Sequence, residues 1–474
     1  MVHQSVSVLS FCGRIKSWGH NMYIYQFINK LFDYINRKSQ ILIHTPWPRN
    51  IGNCAEEIYY GLLKARRDGK KIVFLFPHRL FWKFCIGVGN SELFKIESDY
   101  CLSNNNIWCY LSGWLLTVVF GPLRFLYLLL YKLYKCLHVH GLQRIRPEFR
   151  FPPVNVWYTL PSIGRTTLWK PEGVNQFSWE IVSSFQWKRQ YDEYLPVKLE
   201  QERHKRAEQL RVEMGIPLTG WYVCLHVREG GFHKDAWVEG TRNASILNYI
   251  KGIKVITDAG GFVVRMGDPS MMKLPLMERV IDYPHTPYKC ELMDIYLISQ
   301  CHFYVGVNSG PLDIAWLFQK RVVLTNLTEW LMSFPKKKGD LSIIKHIFSR
   351  SRNRFLSLKE ILNEPFECQY VRELGNDYIM FENSSEEIKN VIVECLNTSA
   401  DYQYSELQET FNEGRRAQIH RWLERSELFF ENRLDDLVER YRLASRADSV
   451  KGALGRKYVE QNWISDSMNN YILG

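Results

Sequence analysis

A chain of 474 residues exceeds one ordinary domain, at roughly 150 residues each, and two or three are expected. Its 46% hydrophobic and 23% charged residues are the balance of a folded globular protein, which excludes long disorder and any need for disulfide staples. The formal charge of +11, from 61 Lys+Arg against 50 Asp+Glu, favours phosphate-bearing partners. Without zinc-finger spacing, a basic zipper or an RNP-type aromatic motif, nucleic acid is set aside among them.

The 11 cysteines are odd in number, scattered, and form no close C-x-x-C pair. That usage fits a reducing cytosol, and metal ligation by these cysteines is not expected. The apolar stretch 6–12 is followed by Arg14 and Lys16, the reverse of a secretory signal, so a cytoplasmic protein is expected.

In chain order, 1–38 reads as an N-terminal helical segment. Residues 41–43 then read as a buried strand and 44–53 as a loop with two prolines and Gly52. A helical apolar pattern follows over 55–67, Asp68-Gly69 stops it, and 71–76 returns as a strand. This βαβ unit predicts a parallel sheet, opening a first domain over 39–214.

The run 107–137 is strongly apolar but is broken by Gly121-Pro122 and by Arg124, Lys132 and Lys135. It fits a broken helical pair lying on the inner face of a membrane, or a pair of buried domain helices; a true span is disfavoured by its charges. The insertion 107–140 is taken as membrane-associating. Residues 154–158 read as a further strand, and 195–214 as a charged helix linking two halves.

A second α/β domain is expected over 215–400. Strands are expected at 221–227, 262–266, 281–283, 303–307 and 321–324, and helices at 246–256, 291–300 and 312–318. Asn243 or Ser245 is the expected cap of the first helix, and Pro311 suits the first turn of the last. The remainder, 401–474, reads as a helical extension.

Two constellations carry chemistry. In WYVCLHVREGG, 221–231, a buried strand runs into His226, Arg228 and Glu229. Ligands of open α/β sheets bind at the carboxyl ends of strands, and a guanidinium there can grip a phosphate with two prongs. Glu229, or Asp235 farther along the loop, supplies a proton acceptor, with Glu229 preferred because it adjoins Arg228. In YVGVNSGPLDIAW, 304–316, Asn308, Ser309 and Gly310 lie between strand and helix. Free N–H groups and the positive end of the helix dipole suit a diphosphate there; a plain N-cap is the competing reading.

Arg265, at the strand end of VVRMGDP, faces a ligand or pairs with Asp268 or Asp282. Arg242-Asn243 is a candidate for holding the same ligand. Arg49 to Asn53 either lines the acceptor side or is an ordinary βα loop. No Walker loop, HExxH, G-x-S-x-G or well-placed G-x-G-x-x-G occurs, so P-loop kinases, zinc proteases, esterases and dinucleotide oxidoreductases are not expected.

The ordered set CLHVREGG, RNASILNYIKGI, GGFVVRMGDP, IDYPHT, MDIYLISQCHFYVGVNSG and VVLTN spans about 221–326. Weaker pieces follow in PKKKGD at 335–340 and ENSSEEI at 382–388. Together they resemble a bacterial glycosyltransferase family of surface carbohydrate (capsule or O-antigen) biosynthesis. The H-x-R is also similar to the donor strand of fucosyltransferases with GT-B folds.

The resemblance implies two Rossmann-like, doubly wound domains facing a cleft, with a nucleotide-sugar donor held mainly by the second. It implies a glycan or lipid-linked acceptor, and the insertion 107–140 adds the expectation of an enzyme on the inner face of the inner membrane. His226, Arg228, Arg242, Arg265, Ser309 and Gly310 carry over as donor-site positions. An Asp more commonly follows the arginine where this chain has Glu229, whose longer side chain carries the carboxylate elsewhere. No cofactor or metal is expected, since positive side chains and helix dipoles can stabilise a leaving diphosphate. The alternatives are a non-catalytic nucleotide- or carbohydrate-binding protein and a membrane-associated scaffold of envelope glycan assembly.

Overall fold

The computed structural model describes residues 38, 40–44, 51–74, 89–101, 195–230, 240–330, 334–364, 377–399, 402–426 and 450–464. The apolar run 107–140, the strand expected at 154–158 and Asp235 lie outside these residues. The chain divides into two compact units, Met1–Phe94 with Asp99–Glu180, and Lys95–Ser98 with Ile181–Gly474.

In the first unit, β1 (Ile41–His44), α1 (Ile51–Arg67) and β2 (Lys71–Phe74) form a βαβ unit. The strands pair in parallel from Ile41 opposite Lys71 to His44 opposite Phe74. The helix starts at Ile51 rather than at 55, so Ile51, Gly52 and Asn53 are its first turn and not part of a loop. The apolar spacing accounts for this: Cys54, Ala55, Ile58, Leu62 and Ala65 form one buried stripe that begins earlier than the prolines suggest. Gly69 ends the helix at φ +63°, a conformation that costs a glycine little.

The second unit opens with β3 (Ile96–Glu97) paired antiparallel to β4 (Lys198–Leu199), followed by α2 (Gln201–Glu213). The charged helix expected over 195–214 is shorter, because Lys198 and Leu199 form β4 and the helix starts at Gln201. It packs within this unit: the His204 ring meets Tyr296 at 5.3 Å, and Arg211 donates to the Pro217 carbonyl at 2.7 Å while stacking over Tyr222.

The centre of the unit is a seven-stranded, wholly parallel sheet. Its strands are β5 (Tyr222–His226), β6 (Phe262–Arg265), β7 (Val280–Asp282), β8 (Phe303–Gly306), β9 (Arg321–Leu327), β10 (Leu341–Ile344) and β14 (Ala453–Leu454). They lie in the order β14-β10-β9-β8-β5-β6-β7. From β5 the chain steps outward through β6 to β7, then returns to β8 on the other side of β5 and steps outward again. This reversal is the doubly wound pattern of Rossmann-like sheets, and it opens a crevice between the carboxyl ends of β5 and β8.

The crossovers supply the helices. A 3-10 turn, Ile246–Tyr249, runs into α3 (Ile250–Asp258); α4 (Glu291–Gln300) leads back to β8, and α5 (Gly310–Leu317) joins β8 to β9. Ser245 is the cap, accepting from the Leu247 N–H at 3.3 Å. Every residue of β5 and β8 is buried, as in parallel strands covered on both faces.

Beyond β10 the chain differs from the reading of its sequence. Strands β11 (His346–Ser349), β12 (Arg354–Phe355) and β13 (Tyr378–Phe381) form an antiparallel sheet around Phe348, Phe355 and Phe381. Helix α6 (Leu358–Asn363) lies between β12 and β13, and α7 (Ser385–Asn397) and α8 (Glu406–Ser426) follow β13. The expected helical extension 401–474 instead contributes β14 to the main sheet before α9 (Arg456–Asn462), which packs on α7. Gly452 allows it: a Cβ there would sit 2.3 Å from Pro335. Among the described residues no helix is long and apolar enough to cross a membrane.

Candidate functional site

The crevice between β5 and β8 is built by close backbone approach. His226, the last residue of β5, lies opposite Gly306, the last of β8, and its carbonyl accepts from the Val307 N–H at 3.2 Å. A Cβ on Gly306 would stand 2.6 Å from the His226 carbonyl oxygen, so any larger residue would part the strands where the site forms.

Across this gap the two sequence constellations meet. The Ser309 Oγ lies 2.9 Å from His226 Nδ1 and also donates to the Val307 carbonyl at 3.3 Å. A hydroxyl has one proton; with it directed at the carbonyl, the oxygen accepts from Nδ1–H and Nε2 carries the ring's lone pair. Burial, then the positive field of Arg265, lowers the His226 pKa to about 4, with Asp268 opposing and Arg228 reinforcing the shift. The imidazole is therefore neutral at pH 7, and the positive charge at this strand end belongs to Arg228.

Ser309 occupies the N-cap position of α5 but makes no side-chain cap bond. The plain-cap reading of this serine does not describe it. Gly310 is the first helical residue, with Pro311 in the first turn. Asn308 turns away from the His226–Ser309 pair and donates from Nδ2 to Glu329 Oε2 at 2.7 Å.

Arg228 is buried, and its Nη1 donates to Asn243 Oδ1 at 2.5 Å. Its carbonyl accepts from the Ala244 N–H at 3.1 Å, so residue 228 and the 243–244 backbone hold each other at two points. Asn243, one of two expected caps, serves this arginine instead. Arg242 is half-buried in the 3-10 turn Gly240–Arg242, next to it.

Glu229 and Arg265 are brought together rather than left to face a ligand. Arg265 is fully buried and donates from Nη2 to Glu229 Oε1 at 2.9 Å and from Nη1 to Asp282 Oδ1 at 3.0 Å. The other oxygens of both carboxylates hold the loop after β6: Glu229 Oε2 accepts from Met272 N–H at 2.8 Å, and Asp282 Oδ2 from Leu274 N–H at 3.0 Å. Of the two readings of Arg265, pairing with Asp282 describes the structure. Both oxygens of Glu229 are engaged, which weakens its expected role as proton acceptor. Asp235, the other expected acceptor, lies outside the described residues, as do Arg49 and Asn50 of the first unit.

Comparison with protein-family models, with curated proteins and with solved structures finds no match.

Three contributors to this rim had no reading in the sequence. Lys345 follows β10 and is buried, with Nζ donating to the Asn243 carbonyl at 2.7 Å. Glu382 accepts from the Ser245 N–H at 2.9 Å and the Asn248 side chain at 3.0 Å. Glu329 stands just past β9. A charged residue directly after an apolar strand was the available signal, but it needed β10 to be recognised as a strand first.

Proposed function

We propose that this protein is a glycosyltransferase that binds the diphosphate of a nucleotide-sugar donor at the carboxyl ends of β5 and β8. The observation that carries the reading is the meeting of His226 with Ser309 at the reversal of strand order, beside buried Arg228 and the first turn of α5. A guanidinium and the start of a helix suit an anion, and both favour the charge that grows on a departing diphosphate. A neutral imidazole and a serine hydroxyl add hydrogen bonds without adding charge.

In this proposal the two units form a GT-B pair, the second holding the donor and the first a glycan or lipid-linked acceptor of a bacterial surface carbohydrate. The run 107–140, apolar and followed by Arg144 and Arg146, would seat the enzyme on the inner face of the inner membrane. No metal or cofactor enters the scheme.

One observation favours a second reading, a nucleotide-binding protein without turnover: both oxygens of Glu229 are committed to Arg265 and Met272. A thermal-shift screen with UDP, GDP, CMP and their sugars tests binding, because a ligand of the native state raises the melting temperature. Release of free nucleotide from the stabilising sugar donor identifies a transferase. Stabilisation without release identifies the binder, and no stabilisation by any nucleotide defeats both.

A further inference from the structure

Lys345 is an expensive residue where it stands. It is 4% exposed, and a buried ammonium costs several kcal/mol of lost hydration unless it is well compensated. A methionine would fill the same space without that cost. Burial lowers its pKa, opposed by the field of Glu382, as expected for a cation held out of water. A buried charge that adds little net stability directs attention to what it positions.

What the ammonium positions can be traced bond by bond. Lys345 Nζ donates to the main-chain carbonyl of Asn243 at 2.7 Å. The Asn243 carboxamide in turn accepts from Arg228 Nη1, and Ala244 N–H closes on the Arg228 carbonyl at 3.1 Å. On the far side of the same segment, Glu382 accepts from Ser245 N–H and from the Asn248 side chain. Residues 243–248 are thus gripped by a buried cation and a carboxylate that arrive from more than a hundred residues away in the chain, and the grip ends on the guanidinium of Arg228.

We infer that Lys345 is a positioning residue for Arg228, acting through Asn243, and that it tunes the site for a diphosphate. This rests on the reading of the β5–β8 rim as a nucleotide-diphosphate site. Two consequences distinguish it from simple packing. A diphosphate gains more than a monophosphate from a correctly aimed guanidinium, because the fork can engage oxygens on both groups. And once Arg228 is gone, Lys345 has nothing left to position.

The test is a double-mutant cycle read by titration calorimetry with UDP, GDP and UMP on the full chain. Lys345→Met removes the ammonium and keeps the stem, and Arg228→Gln removes the fork. Each is expected to weaken UDP or GDP binding about tenfold, the worth of one hydrogen bond to a charged group. The double variant should bind no more weakly than Arg228→Gln alone. The preference for UDP over UMP should narrow in Lys345→Met, which a general loosening of the site would not do.

Asn243→Leu breaks the same relay without disturbing the buried ammonium. It is expected to match Lys345→Met, and it carries the test if the methionine variant fails to fold. Unchanged diphosphate affinity in the relay variants, or losses in the double variant that multiply to about a hundredfold, overturns the inference while leaving Arg228 in the site. A wild-type chain that binds neither nucleotide, or an Arg228→Gln variant that binds normally, overturns the diphosphate reading and the inference with it.

Discussion

The Ser309 hydroxyl oxygen accepts from Nδ1–H of His226, 2.9 Å away, and not from the helix at whose cap position it stands. An N-cap serine ordinarily satisfies one of the four orphan N–H groups at the helix start, and its loss costs about 1 kcal/mol. In α5, Pro311 has no N–H to offer and the Leu312 N–H donates to the Ser309 carbonyl at 3.0 Å, and the serine side chain links the two strand ends.

Ser309→Ala is therefore expected to act on ligand more than on fold. The melting temperature should fall modestly, because no cap bond is lost but the Nδ1–H of buried His226 loses its acceptor. Stabilisation by nucleotide should fall, because His226 loses the partner that fixes its ring. A variant that loses stability by a full cap's worth and binds nucleotide normally would place the serine in the fold alone.

Gly306→Ala tests the close approach of β5 and β8. Its Cβ would lie 2.6 Å from a main-chain oxygen and 3.0 Å from the Tyr304 hydroxyl, with no flexible group on the main-chain side to give way. Overpacking of this kind costs typically about 1–3 kcal/mol, and here it acts on the two strands that carry the site. Chemical denaturation should show a lower midpoint with an unchanged slope, and nucleotide affinity should fall alongside it.

Most of the sheet could be read from the sequence because parallel strands buried on both faces leave apolar runs, as in VCL of β5 and VVL of β9. His226 at a strand end and Ser309 in a strand-to-helix loop were legible separately; their meeting is set by the register of β5 and β8. What could not be read were partnerships set by tertiary reach. Arg265 had equally plausible ligands and counter-ions within its own segment, and only the sheet order places Glu229 and Asp282 on either side of it. Strands β11, β12 and β13 are short, and their pairing depends on partners across 377–381 rather than on their own periodicity. β14 is two residues long, too short to carry a pattern at all.

Glu229→Gln separates a structural from a catalytic role at that position. Arg265 is fully buried, so halving its carboxylate pair leaves a poorly compensated charge. The expected loss lies at the lower end of the roughly 3–5 kcal/mol that breaking a buried pair costs, because Glu229 itself keeps some contact with water. Arg265→Met, which leaves both carboxylates without their cation, should cost more. If Glu229→Gln melts like the wild type and yet loses turnover by a hundredfold or more, the carboxylate is the proton acceptor after all.

The pH dependence of stability should carry the mark of His226. Its pKa is about 4 in the folded chain against 6.5 when exposed, so between those values the unfolded state binds the additional proton. The contribution is fully present above about pH 6.5 and is lost as the pH falls toward 4, on the order of 3 kcal/mol in all. Asp340 runs the other way over an overlapping range: burial raises its pKa to about 6, so the folded state binds the proton there and gains stability as the pH falls. The raw profile mixes these two with other shifted groups such as His302, Asp294 and Glu394. The informative quantity is the difference between the wild type and His226→Gln, whose neutral side chain removes one titration and leaves Asp340 in place. Unfolding measured from pH 7.5 to 4 should show the two curves converging as the pH drops. Parallel curves would mean that His226 titrates alike in both states, and that its ring is open to water rather than closed between Ser309 and the arginines.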